Sequence, residues 1–182
     1  MTDPSSVAIR PSRDTDVAAI AAIYGHHVRH GVASFETEPP SSEEMRRRRG
    51  DLLARGYPYL VATQAEIVLG YAYAGPYRPR AAYRDTVENS VYLRPDAAGR
   101  GIGRMLLEAL VGECAQRGFR QMVAVVGDSG NHASIALHER AGFQRVGVLR
   151  SIGHKHGRWL DSVLLQRSLG EGDRSPPAPR AE

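Results

Sequence analysis

One stretch constrains the fold more than any other: Val91-Tyr92-Leu93-Arg94-Pro95-Asp96-Ala97-Ala98-Gly99-Arg100-Gly101-Ile102-Gly103-Arg104, where an apolar strand runs into a glycine-rich turn that opens a helix. Ile102, Met105, Leu106, Ala109, Leu110 and Cys114 recur at i, i+3, i+4 spacing, which predicts a helix with Gly101 and Gly103 in its first turn. The first amides of a helix lack partners and lie at the positive end of its dipole. Glycines there let an anion approach the backbone without meeting a Cβ, and Arg100 and Arg104 add charge, so the turn reads as a phosphate site. Two familiar phosphate signatures are absent: there is no GxxxxGK[ST], and Gly99, Gly101 and Gly103 do not match GxGxxG. A tight strand-to-helix turn that binds nothing stays open on this segment alone.

The remaining patterning places this unit inside an α+β order. A short strand near Val7 to Arg10 precedes a helix from about Asp14 to His30, with Ile20, Ile23, Tyr24 and His27 on one face, and a second helix begins near Ser41. Tyr59 to Thr63 and Ile67 to Ala74 read as antiparallel strands, residues 75 to 85 as a loop, and Thr86 to Leu93 as the strand entering the turn. After the helix come a buried strand from Gln121 to Val126, a short helix from Asn131 ending at Gly142, and strands near Arg145 to Ile152 and Trp159 to Ser168. Residues 1–6 are expected to be a flexible terminus, 7–169 one domain, and 170–182, with Pro176, Pro177 and Pro179, a disordered tail.

With 182 residues, 42% hydrophobic and 24% charged, the chain suits one domain with its own core. No apolar run approaches the roughly 18 residues that span a bilayer, and the N-terminus lacks a secretory pattern. The single cysteine, Cys114, excludes an internal disulfide, and a cytoplasmic location is expected. The pI near 9.5 accompanies a formal charge of only +4. The dense run Arg46-Arg47-Arg48-Arg49 lies in the helix opened by a Ser-x-x-Glu box, Ser41 to Glu44, and reads as a solvated face. Groove recognition would need aromatic or base-reading partners nearby, so neither nucleic acid nor membrane is expected as a partner. No His, Cys and carboxylate cluster at ligand spacing is present, and no metal is expected.

The glycine turn, followed by Asn131-His132-Ala133-Ser134-Ile135-Ala136-Leu137-His138-Glu139-Arg140-Ala141-Gly142-Phe143, resembles the GNAT acyltransferase superfamily. Residues 72–92, Ser34-Phe35-Glu36-Thr37-Glu38-Pro39 and Gly153-His154-Lys155-His156-Gly157-Arg158-Trp159-Leu160-Asp161 look like its phosphinothricin and methionine sulfoximine N-acetyltransferases. The resemblance covers roughly residues 7 to 169. It implies the GNAT fold, with a central mixed and mostly antiparallel sheet flanked by helices. It also implies acetyl-CoA as cosubstrate, a small amino-acid-like acceptor and a homodimer.

Acetyl transfer to an amine needs a neutral nitrogen, because an ammonium has no lone pair for attack. By resemblance Glu88 is the expected general base, and a carboxylate between apolar strand neighbours has a raised pKa. Strand alternation puts Thr86, Glu88, Ser90 and Tyr92 on one face and Val87, Asn89, Val91 and Leu93 on the other. An ion pair of Glu88 with Arg84 or Arg80 is its structural alternative. His138 is the candidate to protonate the departing thiolate, set against a plain packing role.

The backbone of Val91, Tyr92 and Leu93 is expected to meet the pantetheine arm, and Gly99, Arg100, Gly101, Ile102, Gly103 and Arg104 the pyrophosphate, with Asn131 and Ser134 nearby. Phe35, Tyr77, Arg78, Arg80 and Tyr83 are the expected acceptor residues; a guanidinium fork suits a carboxylate or phosphinate. Two positions depart from the family: Ala98 stands where Gln or Arg is usual, and Tyr77 where Trp is usual. Rival readings are an acetyltransferase for another amine (a different amino acid, polyamine, aminoglycoside or protein N-terminus) and a non-catalytic CoA- or nucleic-acid-binding module. The basic loop with Arg78, Arg80 and Arg84 speaks against a polyamine.

Overall fold

A computed structural model describes residues 6–178, so the ends of the expected flexible terminus and tail lie outside the described residues. Among these residues seven strands form one sheet in the order β1-β2-β3-β4-β5-β7-β6. They are β1 (Ala8–Pro11), β2 (Tyr59–Gln64), β3 (Ile67–Pro76), β4 (Thr86–Leu93), β5 (Gln121–Gly127), β6 (Gln144–Lys155) and β7 (Arg158–Ser168). Every neighbouring pair is antiparallel except β4 and β5. This is the α+β, mixed and mostly antiparallel architecture that the resemblance implies.

Among the described residues four helices cover the two faces: α1 (Val17–His30), α2 (Ser42–Ala54), α3 (Ile102–Gln116) and α4 (His132–Arg140). Alternation along each strand divides the core. Leu60, Ala62, Ala72, Ala74 and Val87 pack with Ile102, Leu106, Leu110 and Ile135 of α3 and α4. Tyr59, Val61, Tyr71 and Tyr92 pack on the other face with Val17, Ile20, Tyr24 and Val28 of α1 and Met45 of α2. Leu106 and Leu110 are fully buried, and truncating such a leucine to Ala costs about 2–5 kcal/mol.

Several local expectations are refined. The first helix begins as a 3-10 turn, Asp14–Asp16, and Ala81–Tyr83 adds another inside the expected loop, whose first residues Gly75 and Pro76 belong to β3. The Ser41 hydroxyl caps α2, accepting from Glu44 N at 3.1 Å. The arginine run is only partly a solvated face. Arg47 and Arg48 pair with Glu44 on α2, whereas Arg49 is buried and donates to Ser12 Oγ, Ser12 O and Asp14. Strand β6 runs to Lys155, with irregularities at Arg145/Gly147 and Leu149/Gly153. Beyond β7, Arg120 donates to Ser175 Oγ and to the Ser175 and Pro176 carbonyls. No helix among the described residues is long and apolar enough to cross a membrane.

Candidate active site

The parallel ladder between β4 and β5 runs from Thr86 opposite Gln121 to Asn89 opposite Ala124 and stops there. Beyond that point β4 stays with β3 through Leu93 while β5 stays with β7 through Gly127, so the strands part into a V. One end of the V is lined by Val91, Val126, Asn131, Ser134 and His138. The other opens into a chamber of about 320 Å³ lined by Ser34, Phe35, Tyr73, Glu88 and Ser162. Asn89, Ser90, Tyr92, Val125 and Gly127 line both, making one continuous cleft.

At the start of α3, Gly99 (φ +75°) and Gly101 (φ +79°) adopt left-handed backbone, and a Cβ at either would meet open space. That conformation costs an L side chain about 1–2 kcal/mol, which is why glycine stands there. Among the described residues no side chain caps α3, leaving its first amides for an anion or water. Gly103 does something else: it is buried beside Leu93 and Leu137, where its small size brings α3 close to β4 and α4. Ile102 is a core residue. The expected cations are already partnered on the surface, Arg100 with Gln64 Oε1 (2.9 Å) and Arg104 with Glu108 (2.6 Å). The turn therefore fits a pyrophosphate through backbone amides first.

Strand β4 divides its labour. Tyr92 turns its ring into the α1 layer, edge-on to Tyr24. The Leu93 carbonyl accepts from His27 Nε2 at 2.7 Å, which ties α1 to the end of the strand. Asn131 Oδ1 accepts from Ser134 N (3.2 Å) and its Nδ2 donates to the Gly127 carbonyl (3.5 Å). Its side chain thus caps α4 and holds it to β5. Ser134 contributes its carbonyl to His138 Nδ1 at 2.8 Å.

Glu88 is half-buried in the chamber and makes no ion pair among the described residues; Arg84 pairs with Asp85 instead. Burial pushes the Glu88 carboxyl above the usual range, and the charge of Arg78 pulls it partly back. A carboxylate so placed can accept a proton from an amine, directly or through water. His138 is buried, and burial pushes its pKa down, opposed by the Ser134 carbonyl. Both ring nitrogens are engaged, Nε2 lying 2.9 Å from Asn89 Nδ2. Phe35 reaches the chamber with Glu88. Tyr77, Arg78, Arg80 and Tyr83 do not line it; Tyr77 meets Tyr83 edge-on and Arg78 lies over the Tyr77 ring on the adjoining loop.

Sequence reasoning missed Asn89, although its position on the apolar face of β4 was the available signal. It also missed the Tyr73–Ser90 hydrogen bond and the seating of the loop that carries Phe35. There Lys155, itself buried, donates to the Ser34 carbonyl at 2.7 Å. A larger hollow, about 650 Å³, lies between α1 and the start of β3 beside Arg13, His26, Glu66 and Arg94, and none of Phe35, Glu88, Asn89 and His138 lines it.

The model of the Acetyltransferase (GNAT) family matches residues 14–143. A phosphinothricin N-acetyltransferase of Alcaligenes faecalis is 55% identical over 93% of this chain and 86% of its own length. An L-methionine sulfoximine/L-methionine sulfone acetyltransferase of Pseudomonas paraeruginosa is 43% identical over 94% of this chain and 99% of its own. Among solved structures, a phosphinothricin acetyltransferase from Sinorhizobium meliloti in complex with AcCoA superposes with a TM-score of 0.92 at 46% identity, covering 94% of this chain and 93% of that one.

Proposed function

The chain belongs to the GNAT acetyltransferase family, and on that premise we propose that it transfers acetyl from acetyl-CoA to the α-amino group of phosphinothricin, methionine sulfoximine or methionine sulfone. The observation that carries this reading is Glu88, a carboxylate with no ion pair among the described residues, in a chamber continuous with the V between β4 and β5. The amine nitrogen bonds the acetyl carbon, the carbon–sulfur bond breaks with its electron pair leaving on sulfur, and the amine proton passes to Glu88.

The chain's own groups position the reactants for direct transfer, which supplies much of the rate. The backbone of Val91 and Leu93 and the amides at the start of α3 hold the cosubstrate. Arg78, Arg80 and Tyr83 stand on the loop beside the chamber rather than in its lining, and from there they reach the acceptor's carboxylate and its phosphinate or sulfoximine end, with Phe35 as a wall. Val146, Leu149, Ile152 and Trp159 are exposed apolar residues on β6 and β7, which supports a homodimer through the hairpin.

The test is release of CoA thiol from acetyl-CoA across phosphinothricin, methionine sulfoximine, methionine sulfone, glutamate, spermidine and an aminoglycoside. Turnover confined to the first three is expected. Spermidine or the aminoglycoside as the best acceptor would overturn the assignment of the basic loop.

A further inference from the structure

Asn89 is the last residue of the parallel ladder, where β4 and β5 part, and its side chain is buried. Its environment follows from one fact about its neighbour. A carbonyl oxygen only accepts, so the proton of neutral His138 lies on Nδ1 and points at the Ser134 carbonyl. The bare Nε2 then needs a donor, and Asn89 Nδ2 is 2.9 Å away. This settles which way the carboxamide faces and leaves Asn89 Oδ1 buried with no partner among the described residues. Such an atom costs about 1–3 kcal/mol unless something donates to it. Asn89 lines both ends of the cleft. The ring also meets the Phe143 ring at right angles, and Glu88 lies on the opposite face of β4.

We propose that Asn89 is a positioning residue that holds His138 as the neutral Nδ1–H tautomer, while His138 in return aims Asn89 Oδ1 at the apex of the cleft to accept an N–H of the bound reactants. The donor is either the acceptor's amine or an amide of the pantetheine arm. His138 then orients Asn89 and does not protonate the departing sulfur. The second half of this proposal rests on the acetyltransfer reading; the first half does not.

Two-bond nitrogen–proton spectra of protein carrying ¹⁵N-imidazole histidine test the pair without turnover, with the His138 signal identified by its loss in His138→Asn. Wild-type His138 is expected to show a protonated Nδ1 and a bare Nε2 throughout about pH 6 to 8, where an unperturbed ring would titrate. A proton on Nε2, or an imidazolium, would overturn the proposal. Asn89→Asp keeps the shape but cannot donate, so both His138 nitrogens are expected to become protonated; an unchanged tautomer there also refutes the pair.

In Asn89→Leu, which has nearly the same shape but lacks the acceptor oxygen, kcat/KM is expected to fall by about 10- to 100-fold, the loss of one buried hydrogen bond. A rise in KM for the acceptor alone identifies the amine as donor, and a rise for acetyl-CoA alone identifies the pantetheine arm. Unchanged kinetics for both would refute the contact to the reactants. Failure of the wild type to turn over would sink the acetyltransfer reading and with it that contact, while the spectra still decide the tautomer.

Discussion

Glu88→Gln is expected to lower kcat/KM by about 100- to 10,000-fold, the range lost when a positioned general base is removed. Glutamine keeps the size and shape of the side chain but turns one acceptor oxygen into an NH2 donor and removes the charge and the basicity, so the fold of β4 is left in place. The sign of the pH dependence follows from the surroundings of Glu88. Burial raises its pKa, and the base works only when deprotonated, so kcat/KM should climb with pH through a limb above the usual carboxylate range. That limb should vanish in Glu88→Gln. Arg78 pulls the same pKa down, so Arg78→Met should move the limb to higher pH. Glu88→Gln with wild-type kinetics and the limb intact would place the base elsewhere.

The strand, turn and helix from Val91 to Cys114 were legible because each part carries a local signal: alternation in the strand, helical spacing after it, and glycines where the backbone turns left-handed. The Ser41 cap and the Gly142 terminus were legible for the same reason. Groups that meet only through the fold left no such signal. Asn89 and His138 are 49 residues apart and Ser34 and Lys155 are 121 apart, so neither pair shows in any window of sequence. Arg49 looked like its three neighbours in the run, yet successive helical positions face different directions and it alone turns onto Ser12. Strand β6 was expected to end at Ile152 because its irregularities interrupt the two-residue period that reports a strand. For Asn131 the resemblance implied a contact to the cosubstrate; in the structure its Oδ1 caps α4 and its Nδ2 donates to the Gly127 carbonyl at the end of β5.

The segment between α1 and α2 connects packing to specificity, and Gly127→Ala should expose that connection. Gly127 ends β5 and lines both parts of the cleft. A Cβ there would lie 2.2 Å from the Val32 carbonyl oxygen and 3.0 Å from the Phe35 ring. The first contact is with backbone, so no rotamer change relieves it, and the segment carrying Ser34 and Phe35 must move. Its other anchors resist. Lys155 holds the Ser34 carbonyl, and Phe35 is seated over Gly153, where a Cβ would approach the ring to 2.4 Å. Overpacking of this kind costs about 1–3 kcal/mol, read as a lower Tm. Because Phe35 faces the chamber with Glu88, a shift of about 1 Å should also lower kcat/KM for the acceptor by about 100-fold. The KM for acetyl-CoA should change less, since the glycine turn at α3 is untouched. Gly50→Ala, on an open face of α2, provides the contrast: the added methyl meets nothing within 4 Å and should stabilise by about 0.5–1 kcal/mol through helix propensity. If Gly127→Ala kept the wild-type Tm and acceptor kinetics, β5 would not be what positions Phe35, and acceptor selection would rest on the arginine loop alone.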